Sequence, residues 1–165
     1  MHRFFTEIAR PAVLLSFVFS QLFDVPARAE SFEHVAGSWS GDGTMKPSDG
    51  PREKVRCKAD YVVKNSAQSV KLDVRCASDA YKMRLSANID SAGTTLSGNW
   101  FESEYRQGGR IFGENVDGVI EAKIESETVT ALLNVQTKRN LQIFTMESPG
   151  AWVSDVTIKR VRDPK

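Results

Sequence analysis

The sequence has few of the residues from which catalytic and metal centres are usually built. It contains two cysteines and two histidines among 165 residues, and His34 is the one histidine beyond the first 29 residues. A Ser-His-Asp triad needs a histidine beside its nucleophile, and a zinc site needs several histidine or cysteine ligands. The sequence therefore predicts a protein that is not an enzyme and that has neither a metal site nor a cofactor.

Long apolar runs are missing as well. The apolar run Pro11–Phe19 is too short to cross a bilayer; it follows two arginines and precedes Ala27–Ala29, an A-x-A site. A basic start, a short apolar core and such a site are typical of a secretory signal peptide. We expect residues 1–29 to be removed after Ala29, leaving residues 30–165 as a single domain in the periplasm or outside the cell, without a transmembrane segment.

Helical periodicity is also missing from residues 30–165, apart from one turn near 31–35, and alternation takes its place. Apolar or small residues occupy every second position of 55–63 and again of 70–76, with a polar loop between them. This pattern predicts a β-hairpin. If Val63 faces Val70, the further pairs are Tyr61–Leu72, Ala59–Val74 and Cys57–Cys76.

The two cysteines meet in this register without further assumption. A disulfide between Cys57 and Cys76 would stabilise the fold by about 3 kcal/mol if it restricts the unfolded chain. Two free buried thiols are the alternative, although export favours the disulfide.

Further short alternating segments are separated by turn residues along the rest of the chain. In the hairpin formed by 80–89 and 94–105, a regular turn would place Gly98 opposite Ala87 and Trp100 opposite Leu85. The remaining strands are expected at 35–44, 110–116, 119–125, 129–137, 141–146 and 152–161. The sequence therefore predicts an all-β, antiparallel up-and-down β-barrel of about eight to ten strands with one disulfide, since closure removes exposed strand edges.

The segment Gly37-Ser38-Trp39 resembles the G-x-W signature of lipocalins and their calycin relatives. The resemblance implies a lipocalin-like barrel in which Trp39 closes one end. It also implies that a basic side chain of the last strand, Lys159 or Arg160, packs on the tryptophan.

The chain is also similar to secreted bacterial metalloprotease inhibitors, which pair a G-x-W start with one disulfide in an eight-stranded barrel. Those inhibitors insert an N-terminal segment into the protease cleft. Residues 30–34, ESFEH, are the candidate for such a segment here.

A lipocalin-like barrel would bind a small hydrophobic ligand at its mouth, where an apolar cup with one or two polar groups is the usual arrangement. The alternative is an interior filled by its own side chains. The candidate ligand-binding residues are Trp39, Tyr61, Tyr81, Met83, Trp100 and Glu102.

Glu102 and Glu104 are two positions apart on the expected strand and would share a face. Carboxylates at the barrel rim, a polar anchor for a ligand, and an acid–base pair are the three interpretations of this spacing.

The charges balance beyond residue 29, but basic residues are in excess over 51–84 and acidic residues over 101–127. Lys58 would lie opposite Arg75, a repulsive pair that suggests a surface for an anionic or protein partner. A solvated strand face is the alternative, and nucleic acid is not expected for a neutral exported protein. The basic residues concerned are Arg56, Lys58, Arg75, Lys82 and Arg84.

The sequence thus predicts a periplasmic or secreted, non-enzymatic binding barrel for a small hydrophobic ligand. The alternative function is a protein-binding barrel, such as a protease inhibitor or an envelope accessory factor.

Overall fold

The computed structural model describes residues 31–151 and 153–164, so the predicted signal peptide and its cleavage site after Ala29 lie outside the described residues. A short 3₁₀ helix, Phe32–His34, precedes ten β-strands. The strands are β1 (Gly37–Pro47), β2 (Glu53–Lys64), β3 (Ser69–Ala77), β4 (Lys82–Ala92), β5 (Thr95–Glu102), β6 (Gln107–Val116), β7 (Val119–Glu125), β8 (Thr130–Lys138), β9 (Leu141–Glu147) and β10 (Val153–Arg162).

Each strand pairs antiparallel with its neighbours in the chain, and β10 pairs with β1 to close the ring. The all-β, up-and-down barrel predicted from the alternation is therefore confirmed. Closure pairs the backbone groups that an open sheet would leave at its two edges.

The β2–β3 hairpin has the expected register. Val63 pairs with Val70 and Cys57 with Cys76. The two cysteines form a disulfide with 4.1 Å between their Cα atoms, which confirms the predicted bridge. It fastens the hairpin at the end opposite its turn.

The register expected for the next hairpin was wrong by two residues. Gly98 lies opposite Ile89 and Trp100 opposite Ala87. The polar stretch from Asp90 was interpreted as the turn, whereas β4 continues to Ala92. Gly93, with φ +66°, opens the two-residue turn that reverses the chain, and short hairpin turns favour such a left-handed glycine.

The two ends of the barrel differ. The 3₁₀ helix covers one end, where Phe32, Val35 and Trp39 are fully buried and the Phe32 N–H donates to the carbonyl of Ala67, 2.9 Å away, in the β2–β3 loop. The opposite end carries the β1–β2, β3–β4, β5–β6, β7–β8 and β9–β10 connections. We call these the closed end and the mouth.

Candidate functional site

Trp39 belongs to the closed end and does not line the central cavity. Its Nε1–H donates to the carbonyl of Val35 at 2.8 Å. The basic side chain on its ring is Arg162, 4.3 Å from guanidinium to ring centre, so the expectation of Lys159 or Arg160 was wrong. Arg162 is the residue of β10 that pairs directly with Trp39, and this register decides which cation reaches the ring.

Arg162 also binds the segment that follows the 3₁₀ helix. Its guanidinium donates to the carbonyl of His34 at 2.8 Å and to that of Ala36. One side chain therefore joins the last strand, the first strand and the covering helix.

A cavity of about 200 Å³ occupies the barrel interior. Its wall is almost wholly apolar, from Phe32 beneath the closed end to Met45 and Val153 near the mouth. Five of the six candidate ligand-binding residues line it, namely Tyr61, Tyr81, Met83, Trp100 and Glu102.

Three glycines occupy inward positions of the alternation in β1 and β5. Gly41 and Gly43 lie on the same inward face of β1 as Trp39 and Met45. Gly98 lies on the same inward face of β5 as Trp100. These glycines contribute no side chain to the interior.

Glu102 is 5% exposed, and its carboxylate is hydrogen-bonded within the protein. Its oxygens accept hydrogen bonds from the backbone N–H groups of Arg84 at 2.7 Å, Glu104 at 3.2 Å and Tyr105 at 2.6 Å. These bonds hold the β5–β6 connection at the mouth.

Glu104 does not share the face of Glu102, because β5 ends at Glu102 and Glu104 lies exposed in the turn. The expectation that the two carboxylates form a pair on one strand was wrong. The turn begins where the sequence pattern still alternates, so alternation alone placed the strand end too late.

Tyr105 stands at the rim of the cavity mouth and is 41% exposed. Its pKa is raised, first by partial burial and then by the charges of Glu102, Tyr81 and Glu104. A neutral phenol is therefore favoured at this edge of the mouth.

Two buried polar residues of the interior were not among the candidate ligand-binding residues. Arg160 is 2% exposed and Gln142 is fully buried, and the two are paired across β9 and β10. Gln142 Oε1 accepts a hydrogen bond from the Tyr61 hydroxyl at 3.2 Å, and its Nε2 donates to Thr137 Oγ1 at 3.1 Å. Alternation from Val156 and Ile158 would have indicated that Arg160 points inward.

The expected basic surface is formed on the outer face of β2, β3 and β4. Lys58, Arg75 and Arg84 lie side by side across the three strands. Arg75 also forms an ion pair of 3.8 Å with Asp60. An open groove of about 560 Å³ runs along this face, and Arg56, Lys58, Arg75, Lys82 and Arg84 all line it.

Within 31–151 and 153–164, no group of three or more histidine, cysteine, aspartate or glutamate side chains is placed to hold a metal ion. The same residues include no helix with the length and apolar character required to span a membrane.

No protein-family model and no curated protein matches the chain. Solved structures do match it. Rv2717c from M. tuberculosis aligns with a TM-score of 0.65 and 10% identity, over 81% of this chain and 95% of that one. The S-type phycobiliprotein lyase CPES from Guillardia theta aligns with a TM-score of 0.57 and 14% identity, over 88% of this chain and 99% of the lyase.

Both structures are lipocalin-like barrels of ten strands. At these identities the likeness concerns the fold alone, and it supports the calycin-like barrel suggested by Gly37-Ser38-Trp39.

Proposed function

We propose that the protein is an exported, non-enzymatic binding protein that holds a small hydrophobic molecule inside its barrel. The apolar cavity of about 200 Å³ carries this proposal. It is larger than the engineered cavity of roughly 150 Å³ that is known to admit benzene. Burial of apolar ligand surface against such a wall is the main source of affinity.

The disulfide Cys57–Cys76 supports the exported location, because disulfides persist in oxidising compartments. We propose no catalytic role for Glu102, because its carboxylate already accepts hydrogen bonds from three backbone N–H groups of the protein itself.

The test uses N-phenyl-1-naphthylamine, a neutral dye whose fluorescence rises in apolar surroundings. We expect saturable binding, accompanied by a change in tryptophan fluorescence because Trp100 lines the cavity. Dye fluorescence that never saturates, with unchanged tryptophan emission, would contradict the proposal.

A cavity-filling variant locates the bound dye. Ala87 is 2% exposed and faces the cavity, so Ala87→Leu should weaken binding roughly tenfold or more by occupying the space. Asn88→Leu adds a similar side chain on the outer face of the same strand and should leave affinity unchanged. Equal affinities for the two variants would place the dye outside the barrel.

A second candidate function is the binding of an anionic partner on the basic face. The row Lys58–Arg75–Arg84 brings like charges together across adjacent strands, an arrangement that an anion would stabilise. We expect Lys58→Glu with Arg84→Glu to elute from a heparin column at clearly lower salt. The double variant Lys123→Glu, Lys138→Glu, which has the same net charge, is the control, and equal elution of the two would contradict a specific face.

The protease-inhibitor alternative gains no support from the geometry. Phe32 is buried and its N–H is bonded to Ala67. The described part of the candidate inhibitory segment, residues 31–34, is therefore packed against the barrel rather than extended from it.

A further inference from the structure

Among the described residues of the cavity wall, one buried side chain is charged and has no counter-charge; the other cation of the wall, Lys82, is exposed at the mouth. Arg160 lines the cavity and is 2% exposed, and its guanidinium lies 5.4 Å from the ring centre of Phe144. Among the residues that the structure describes, its Nε has no hydrogen-bond partner, and Arg160 takes part in none of the ion pairs. A guanidinium does not lose its proton in a protein, so the buried charge remains.

The neighbours of Arg160 cannot neutralise it. On the adjacent strands it is paired with Gly41 and Gln142, and the Gln142 side chain is already bonded to Tyr61 and Thr137. Glu102 is the one acidic side chain among the described residues of the cavity wall, and its oxygens accept three backbone N–H groups. A buried cation left this way is unfavourable until an anion or other acceptor reaches it.

A second donor lines the wall across the barrel. Trp100 is 6% exposed, and its Nε1 has no hydrogen-bond partner in the described part of the chain. It lies on β5, which is five strands from β10 in either direction around the ring of ten. Both orphaned groups that line the cavity are donors, so a ligand carrying acceptor atoms would satisfy them.

We propose that the cavity takes a small amphiphile with one carboxylate, whose head binds Arg160 and whose apolar body extends towards the mouth past Met83. This inference rests on the proposed function, since it names the chemical class of that ligand. A carboxylate presents two oxygens that match the planar guanidinium donors. The apolar body of the ligand matches the rest of the wall, whereas an inorganic anion would leave the apolar part of the cavity empty.

The experiment uses the exported, non-reduced protein at neutral pH with three probes: N-phenyl-1-naphthylamine, decanoate and decan-1-ol. Decanoate and decan-1-ol have chains of equal length and differ in the charged head. We expect both to displace the dye, with decanoate binding about tenfold or more tighter, because a hydrogen bond to a charged group contributes at least that factor.

Arg160→Gln should lower the affinity for decanoate about tenfold or more and change the affinities for dye and alcohol much less, because neither of these has a charged head. Lys159→Gln removes the same charge from an exposed position on the same strand, and it should change none of the three affinities. Circular dichroism checks that each variant keeps the barrel.

The outcomes separate this inference from the proposed function. Dye binding with equal competition by acid and alcohol would overturn the carboxylate assignment and leave the hydrophobic cavity in place. Preference for the acid that survives Arg160→Gln would overturn the role of Arg160. Failure of all three probes to bind would overturn both proposals. The comparison of decanoate with decan-1-ol needs no variant, so it decides the assignment even if Arg160→Gln does not fold.

Discussion

Arg162 joins three parts of the closed end through a cation–π contact and two hydrogen bonds. It stacks on Trp39 and donates to the carbonyls of His34 and Ala36. Its neighbour two positions earlier, Arg160, points into the interior, where it lies 5.4 Å from the Phe144 ring centre and its Nε has no hydrogen-bond partner among the described residues. The two arginines lie on one face of β10 but make different contacts, because the register of β10 against β1 pairs Arg162 with Trp39 and Arg160 with Gly41.

Arg162→Gln should reduce the free energy of unfolding by about 1–3 kcal/mol, since it removes the stacking and the charge-assisted hydrogen bonds. Urea unfolding followed by circular dichroism measures the change. Lys159→Gln serves as the control and should stay within about 0.5 kcal/mol of the wild type. A similar loss in both variants would show that net charge, rather than the closed-end contacts, is responsible.

Tyr105 makes the folded protein sensitive to alkaline pH. Its raised pKa means that the folded state keeps the phenolic proton to a higher pH than the unfolded state. The resulting stability is present below the ordinary tyrosine pKa of about 10, and it is lost as the pH rises through the folded value.

We expect Tyr105→Phe to remove the late part of the tyrosinate absorbance titration of the folded protein. The same titration in concentrated urea should show no such late phase in the wild type, because unfolding exposes Tyr105 and separates it from the charged groups that raise its pKa. A wild-type curve that is the same with and without urea would contradict a raised pKa.

At the scale of the elements, β1 approaches β10 so closely at two of its glycines that no side chain fits at these positions. A Cβ atom added at Gly41 would lie 2.0 Å from the carbonyl oxygen of Lys159, and one at Gly43 would lie 2.0 Å from that of Thr157. Both glycines are in the strand that closes the ring. The seam between β1 and β10 therefore depends on the absence of side chains at these positions.

Gly41→Ala should destabilise the barrel by roughly 1–3 kcal/mol or more, because the backbone of β10 would have to move. Thermal unfolding measures this. Gly50→Ala is the matched control: its added Cβ would meet only Pro47 side-chain atoms at ordinary contact distance. Equal melting temperatures for the two variants would mean that the seam is looser than this close approach indicates.

At the scale of the whole molecule, a cavity inside a closed ring couples ligand binding to stability. A ligand that binds only the folded barrel raises the free energy of unfolding by about 2.7 kcal/mol at a hundred times its Kd. N-phenyl-1-naphthylamine should produce this rise in the wild type, measured by urea unfolding at several dye concentrations. Ala87→Leu should show a much smaller rise at the same concentrations, and an equal rise would contradict binding within the cavity.

Much of this architecture could be predicted from the sequence, because alternation reports directly which face of a strand is buried. The β2–β3 register followed from pairing Val63 with Val70, and the disulfide followed from that register. The β4–β5 register could not be obtained in the same way, since the polar residues around Asp90 extend beyond the turn itself.

The candidate site was predicted less completely. Alternation identified inward aromatic residues of the wall, but it does not show how far along the barrel a residue lies, so it did not separate Trp39, which the G-x-W resemblance places at one end, from the residues that line the cavity. Alternation also does not show that the Glu102 carboxylate is engaged by three backbone N–H groups. The isolation of Arg160 depends on neighbours from other strands, and these are set by the closure of the ring.

The pairing of the first strand with the last has a practical consequence. The N–H of Asp163 donates to the carbonyl of Ser38 at 2.8 Å, so the start of β1 and the end of β10 lie together at the closed end, away from the mouth. A linker from residue 164 back to residue 31 could join the described ends of the chain and keep the covering helix, and new extremities could be opened in the loop between Pro47 and Glu53 without interrupting any strand. A surface tether attached after residue 164 would likewise leave the entrance of the barrel facing the solution.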